Sequence, residues 1–375
     1  MKIREFQVVG LFGRDDKVVA RLNGDLNILT GRNGSGKTSI LKLLWYIMSG
    51  NILNALKEVN FRKATLVTDE YECTVHRIDA FHCKIELTID GRTRIFEDIV
   101  DGDGDVVINA EDEVDAVLRV KGGSVFLPTF RRIEGGFTIG TTLSQVARLG
   151  RPKNEVEESM SAVAKKLTHE NHVFVSSTST VDIVTLLLKK YADLSQSYTD
   201  VQQETSNNII SDIKAFKSDA LDVTQIKAAN EVLDKIRAMI EDMESRREQI
   251  MNPFHAISPI VKRLFRHTGI KIGGRLSFGE AANAINSESL SAGEKQMLSF
   301  ICYNAFYRDS VIFIDEPELS LHVDWQRQLF PVLQRQQSSN QFIIATHSPF
   351  IFSKFPDKEI PIDADRGDEN YVEEE

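Results

Sequence analysis

Polar and apolar positions alternate with a period of two from Arg4 to Phe12, which predicts a strand. A second strand, "LNILTG", runs from Leu26 to Gly31, and Lys37–Met48 ("KTSILKLLWYIM") switches to helical spacing. From about Thr65 to Val107 the pattern returns to short alternating segments, with Asp90-Gly91 as the turn of an antiparallel hairpin. The middle of the chain is helical. Leu187, Tyr191, Leu194, Tyr198 and Val201 step by four and three, as do Ile226, Ala229, Leu233, Ile236, Ile240 and Met243, with Ile250 in register past Arg247. This heptad seam, broken by the turn-like "SDALDVTQ" at 218–225, predicts an antiparallel helical hairpin over 180–251. "NPFHA" at Asn252 is expected to end its second helix. Beyond it come a strand ("GIKIGG", 269–274), the loop "LSAGEKQ" (Leu290–Gln296) and a helix through "MLSFICYNAF" (Met297–Phe306). The apolar runs "SVIFIDEPE" (Ser310–Glu318) and "QFIIATHSP" (Gln341–Pro349) read as buried parallel strands.

The phosphate chemistry begins at Gly31–Thr38. "GRNGSGKT" fits G-x-x-x-x-G-K-[ST] and sits between a strand and a helix, the context such a loop requires. Its glycines let backbone N–H groups turn inward as an anion nest at a helix N-terminus. Asn33, Gly34, Ser35, Gly36, Lys37, Thr38 and Ser39 are the expected ATP-binding residues, with Lys37 reaching the β- and γ-phosphates. The Thr38 hydroxyl is expected to ligate Mg²⁺ together with Asp315, which ends a buried strand at the carboxyl edge of the sheet. Glu316, beside it, can orient and deprotonate the attacking water. His347 ends the neighbouring strand, within reach of a γ-phosphate. "DGDGD" at Asp101–Asp105 lacks the glycine and closing glutamate of a calcium loop and reads as a solvated turn.

Composition narrows the setting. Charged residues make up 27% of the 375 and aromatics 8%, ordinary for a soluble globular protein. Three scattered cysteines without CxxC spacing suit a reducing cytosol and argue against a disulfide framework or a zinc hook. The N-terminus has no signal-peptide core and no apolar run is long enough to span a bilayer, so the expected location is cytoplasmic, with no membrane partner. Of the net charge of −10, −7 falls between Asp357 and Glu375, which reads as a solvated acidic tail. The basic stretch Lys262–Arg275 could track phosphates of DNA or dock an acidic protein.

In this order the motifs resemble the ABC-type ATPases. "GRNGSGKT" matches the Walker A loop, "LSAGEKQ" the signature loop, "FIDEPE" the Walker B strand, "LSLHVD" the D-loop and "THS" the switch histidine. "GEK" after the signature serine and the helical insertion resemble the SMC/RecF/OLD-like branch. "DEPELSLHVDWQ" followed by "ATHSP" is most similar to the ATPase half of OLD-related anti-phage defence proteins. The chain ends at residue 375, soon after that motif, so it is most like a stand-alone ATPase subunit of a split system, of the PARIS kind first and the Septu kind next. The resemblance implies an α/β fold: a P-loop ATPase head of the ABC type, with a mixed sheet, an antiparallel β subdomain and an inserted short helical hairpin or coiled coil. It divides the chain into an N-terminal half of the head (1–175), the hairpin (176–252), a C-terminal half (253–356) and the acidic tail (357–375).

The resemblance also implies ATP and Mg²⁺ as cofactors and head-to-tail pairing of subunits. In such a pair Ser291 and the Gly293 N–H would cap the γ-phosphate held by the partner's Walker A loop. A separate effector of Toprim- or HNH-nuclease type, triggered by DNA or a phage protein, is the expected partner, with a RecF-like DNA-clamping ATPase as the alternative. Two departures stand out. Ala292 replaces the usual signature glycine, and Arg131 and Arg132 occupy the region where a Q-loop glutamine is expected.

Overall fold

The computed structural model describes residues 1–100, 106–129, 155–176, 180–215, 223–264 and 291–362. The "DGDGD" turn, Arg131 and Arg132, the strand "GIKIGG", most of the basic stretch and residues 363–375 lie outside them.

Two six-stranded sheets make up the first of two compact units, which comprises 1–183 and 285–375. The antiparallel sheet contains β1 (Ile3–Val9), β2 (Lys17–Arg21), β4 (Lys63–Thr68), β5 (Tyr71–Arg77), β6 (Cys83–Ile89) and β7 (Arg92–Glu97), in the order β2-β1-β4-β5-β6-β7. Burial alternates along β4 and β6, so one face packs inward and the other meets solvent. Asp90 and Gly91 join β6 to β7 with φ values of 50° and 73°. Two consecutive left-handed residues form the two-residue turn whose twist matches a hairpin, the task expected of that Asp-Gly pair.

The second sheet is parallel throughout. Its order is β11 (His172–Phe174), β10 (Ser124–Leu127), β12 (Val311–Asp315), β13 (Gln341–Ala345), β3 (Leu26–Thr30) and β14 (Glu359–Pro361). β3, β12 and β13 are buried at every position, which is why their sequences read as unbroken apolar runs. A small ribbon of β8 (Ile99–Val100) and β9 (Val106–Ile108) stands apart from both sheets.

Helix α1 (Lys37–Met48) packs on β12 and β13 of one sheet and on β4 of the other. Nine of its twelve residues are buried, and Lys42, which pairs with Glu58 at 2.9 Å, marks its narrow exposed side. Trp45, fully buried, packs against Phe126 and Phe174 with ring centroids 5.3 and 5.5 Å away. Its indole N–H donates to Ser124 Oγ at 3.0 Å, Ser124 pairs with His172 Nδ1 at 2.8 Å, and His172 Nε2 meets the Lys121 carbonyl at 3.1 Å. The three side chains of this relay, Trp45, Ser124 and His172, thus satisfy one another in the core, as burial demands. Short helices α2 (Ile52–Glu58) and α3 (Ala110–Leu118) pack beside α1 and β6 respectively, and α4 (Glu155–Leu167) precedes β11.

The sheet edge corrects one expectation. Residues from Asp357 were expected to be solvated tail, but Glu359–Pro361 form β14 on β3. Thr30 Oγ1 donates to Glu359 at 2.7 Å, Lys358 pairs with Asp25 at 2.9 Å, and Ile360 and Ile362 pack on the core. Pro361 is tolerated because an edge strand need not donate on its outer side.

In the second unit (Val184–Ala284) the chain forms two long helices, α5 (Thr180–Ala215, beginning in the first unit) and α6 (Val223–Leu264). Asp212 pairs with Lys235 at 2.9 Å, and Arg247 lies over the Tyr198 ring at 5.5 Å. Moving up one helix while moving down the other makes them antiparallel. The seam differs in detail from the spacing: Val232 and Met239 are half-buried, whereas Leu233 and Ile240 are 61% and 41% exposed. At these two turns the sequence offers two adjacent apolar residues, and either choice satisfies the 3-4 step. The break expected at Asn252 is also absent, since α6 runs on to Leu264 through Pro253 and Pro259. A proline removes one hydrogen bond and kinks a helix without having to end it. No helix among the described residues is long and apolar enough to cross a membrane.

The His172 chain generates a prediction. Burial pushes the His172 pKa down to about 4, against the carbonyl of Lys121, which favours the charged ring. The folded state therefore needs neutral imidazole, and this contribution is complete above the unfolded value of about 6.5 and lost as pH falls toward 4. His172→Gln should lose less stability than the native protein between those pH values, by about 3 kcal/mol in the difference of unfolding free energies. Equal acid sensitivity in denaturant titrations of the two proteins would remove His172 from that role.

Candidate active site

The turn between β3 and α1 is built for an anion. Gly31, Gly34 and Gly36 have φ of 143°, 80° and 99°, values that turn successive N–H groups to one side. Gly36 is also a close-approach position, because a Cβ there would lie 2.6 Å from Leu11 Cδ2. It caps α1 without a side chain, which leaves the helix N-terminus open to a ligand. Arg32, Asn33 and Gly34 are exposed, whereas Ser35 is buried and its hydroxyl has no partner among the described residues. An orphaned hydroxyl in such a cradle fits a polyphosphate oxygen. Lys37 Nζ donates to the carbonyls of Gly31 (3.0 Å) and Arg32 (2.9 Å), folded back over its own loop. Ser39, half-buried, follows Thr38 in the first turn of α1.

The parallel register brings the distant acid to this turn. β3 pairs with β13, and β13 with β12, so their carboxyl ends line one edge. Asp315 ends β12 there, and Thr38 Oγ1 donates to its Oδ1 at 2.9 Å. Thr129, just past the end of β10, donates from its hydroxyl to the other oxygen, Oδ2. Two hydroxyls around one buried carboxylate make a set of hard oxygen donors, chemistry that suits Mg²⁺. Glu316 follows in a left-handed conformation, φ 46°, with its N–H on the Ala345 carbonyl at 2.8 Å. A non-glycine residue held there costs on the order of 1 kcal/mol or more, a strain that concentrates at functional sites.

His347 completes the cluster, with Nδ1 3.5 Å from Lys37 Nζ. Burial lowers the Lys37 pKa, opposed by the charges of Glu316, Asp315 and Glu318. Burial and then Lys37 lower that of His347, opposed by Glu318 and Asp315. His347 is thus a neutral imidazole at pH 7, able to accept or donate one hydrogen bond. Lys37, Thr38, Asp315, Glu316 and His347, five residues singled out in the sequence, converge on this edge.

Ser291 and Gly293 lie elsewhere. The stretch "LSAGEKQ" was expected as a loop, but from Ala292 to Gln296 it is the first turns of helix α7 (Ala292–Phe306), with Leu290 outside the described residues. Ser291 is the N-cap: its Oγ accepts from the Glu294 N–H, and the Glu294 carboxylate accepts from the Ser291 N–H and hydroxyl, both at 2.8 Å. The S-x-x-E pattern of a capping box was present in the sequence and marks this boundary. Gly293 packs under the Ser320 carbonyl, where a Cβ would come within 2.6 Å of the oxygen. Ala292, in contrast, is an ordinary first helical residue, and its methyl does not disturb the turn. Among the described residues, neither Ser291 nor Gly293 joins the cluster around Lys37.

Sequence reasoning missed two residues here. Nothing local marks Thr129, which reaches Asp315 only because β10 lies beside β12. Glu318 takes the Thr346 hydroxyl and the His347 N–H, both at 2.8 Å. It stands three residues past Asp315, beyond Pro317, and nothing in its own spacing separates it from the Asp315-Glu316 pair.

The chain is similar to several known proteins. The retron Ec83 probable ATPase of Escherichia coli is 34% identical over 73 residues, which cover 16% of this chain and 14% of that protein. The match is thus a small part of either molecule. Among solved structures, the Pyrococcus furiosus Smc head domain with an extended coiled coil, bound to the C-terminal domain of ScpA, covers 94% of this chain and 91% of its own. Its identity is 13% and its TM-score 0.36. An Smc head bound to the C-terminal winged-helix domain of ScpA gives 13%, a TM-score of 0.39 and coverage of 94% and 92%. We draw no function from likeness at that level. The model of the AAA ATPase domain, however, matches residues 1–352, nearly the whole chain, and the protein belongs to that ATPase family.

Proposed function

We propose that this ATPase hydrolyses ATP at a site shared by two copies packed head to tail, and that the assembly holds or releases a separate nuclease effector in anti-phage defence. The observation that carries the shared site is the placement of Ser291. It opens an exposed helix N-terminus, its hydrogen bonds closed on Glu294, while the Lys37 cluster at the sheet edge has an orphaned hydroxyl and an uncapped helix. The two halves complement each other chemically: one cradles a polyphosphate, and the other offers a hydroxyl and N–H groups to its far end.

Within one site, the N–H groups of Asn33 to Ser39 and the Lys37 ammonium bind the phosphates. To do so Lys37 gives up its two loop carbonyls. Thr38 and Asp315 would hold Mg²⁺, which would supply charge neutralisation to the phosphates. Glu316 takes the proton from the attacking water, and His347 meets the γ-phosphate. The partner's signature turn, Ser291 and Gly293 of a second copy, caps the same phosphate. Membership in a defence system is supported by the motif resemblance and by the short match to a retron ATPase. The hairpin of α5 and α6 is the surface we assign to the effector.

Glu316→Gln keeps size and shape but removes the base, so hydrolysis should fall by about 100-fold or more while ATP still binds. Lys37→Ala should instead lose binding, measured by calorimetry. Native-rate hydrolysis by Glu316→Gln would exclude it as the base.

A mixing experiment tests the shared site. Ser291→Asp retains a capping oxygen while setting a negative charge against the partner's γ-phosphate. Lys37→Ala and Ser291→Asp should each be inactive alone. A mixed pair holds one site with both lesions and one with neither, so hydrolysis should return on subunit exchange. An inactive mixture, with mixed pairs verified by mass and single-site turnover established separately, refutes the arrangement.

A further inference from the structure

The switch between β13 and α9 (Pro349–Phe352) is held by one carboxylate that the nucleotide chemistry leaves unassigned. Glu318 Oε1 accepts the His347 N–H and Oε2 accepts the Thr346 hydroxyl, each at 2.8 Å. The Thr346 oxygen in turn accepts the Ser348 N–H at 3.0 Å. A second tie runs parallel. Gln326, on α8 (Val323–Gln334), donates to the Leu321 carbonyl at 2.8 Å and accepts from Ser348 Oγ at 2.6 Å. Thr346, His347 and Ser348 are each bound to the segment 318–326.

That segment is itself anchored on its far side. Gln296 donates to the Pro317 carbonyl at 3.3 Å, and the Ser320 carbonyl sits on Gly293, both in the first turns of α7. Glu318 therefore projects from a backbone fixed at both flanks. Two charge-assisted hydrogen bonds from a fixed carboxylate define the His347 backbone far more tightly than a solvated turn would. The ring is thereby held 3.5 Å from Lys37, where the end of a bound polyphosphate would lie.

We propose that Glu318 is the positioning residue for His347, and that through Pro317 and Ser320 it ties the switch histidine to the signature turn of the same chain. The inference rests on His347 serving the γ-phosphate, as proposed above. Both Glu318 oxygens are engaged by Thr346 and His347, so it sets where the imidazole stands. It also gives a path by which load on Ser291 and Gly293 from one nucleotide reaches His347 beside another. The acid is suited to this because it accepts two donors at once. Glutamine can keep both contacts, since its oxygen accepts the His347 N–H and its amide can donate to the Thr346 oxygen. Alanine keeps neither.

The test is a double-mutant cycle with the conservative variant as control. Glu318→Ala should lower kcat by about ten-fold or more while the ATP dissociation constant, measured by calorimetry, changes by less than about three-fold. Glu318→Gln should stay within about three-fold of native in both. In a His347→Ala background, Glu318→Ala should add no further loss, because nothing remains to be positioned. Losses that multiply in the double mutant would mean that Glu318 acts independently of His347. Native kcat in Glu318→Ala overturns the proposal, as does loss of ATP binding in step with kcat that glutamine fails to restore. Native kcat in His347→Ala sinks the reading of the histidine itself, and the positioning role with it.

Discussion

The structure depends on a helix that is buried along most of its surface. α1 lies between the antiparallel and parallel sheets, and burying nine of its twelve residues against them is what joins them into one unit. Trp45 on one flank ties it through Ser124 and His172 to β10 and β11, while Ile40, Leu41, Leu43 and Leu44 fill the remaining space. Because α1 cannot slide, its first turn has a fixed place at the carboxyl edge of the parallel sheet. Lys37 and Thr38 are thereby delivered to Asp315, 277 positions away from Thr38. The site is a product of core packing before it is a product of loops.

Chemistry at that edge comes from concentrating opposite charges in partial burial. Lys37 is surrounded by Glu316, Asp315 and Glu318, and in the described state it satisfies itself on the carbonyls of its own loop. A polyphosphate offers that ammonium stronger, charged acceptors. The N-terminus of α1, without a side-chain cap, and the Ser35 hydroxyl, without a partner among the described residues, point to the same occupant. Glu316, held left-handed by its bond to Ala345, is turned by its backbone and not by side-chain choice.

Much of this was legible from residues alone, and the reasons are physical. β3, β12 and β13 are buried on both faces, so each reads as an apolar run, and α1 is recognisable by helical spacing with glycines before it. Asp90-Gly91 carries its turn type in its chemistry. The misreadings arose where two signals overlapped. Attention to "LSAGEKQ" as a motif hid the capping box that starts α7 at Ala292. Acidic neighbours of Ile360 and Ile362 hid β14, and paired apolar residues left the seam of α6 undetermined between Val232 and Leu233. Thr129 and Glu318 could not be found locally, because their partners, Asp315 and Thr346-His347, are set by strand order.

The central claim is that one chain carries two half-sites and completes neither alone. The most direct measurement is the solution mass of Glu316→Gln, by light scattering, with ATP and Mg²⁺ and then with ADP and Mg²⁺. A variant that binds but does not hydrolyse ATP should trap the sandwich, giving at least twice the chain mass with ATP and a smaller particle with ADP. A particle of single-chain mass at saturating ATP, with binding confirmed in the same sample, would contradict the account.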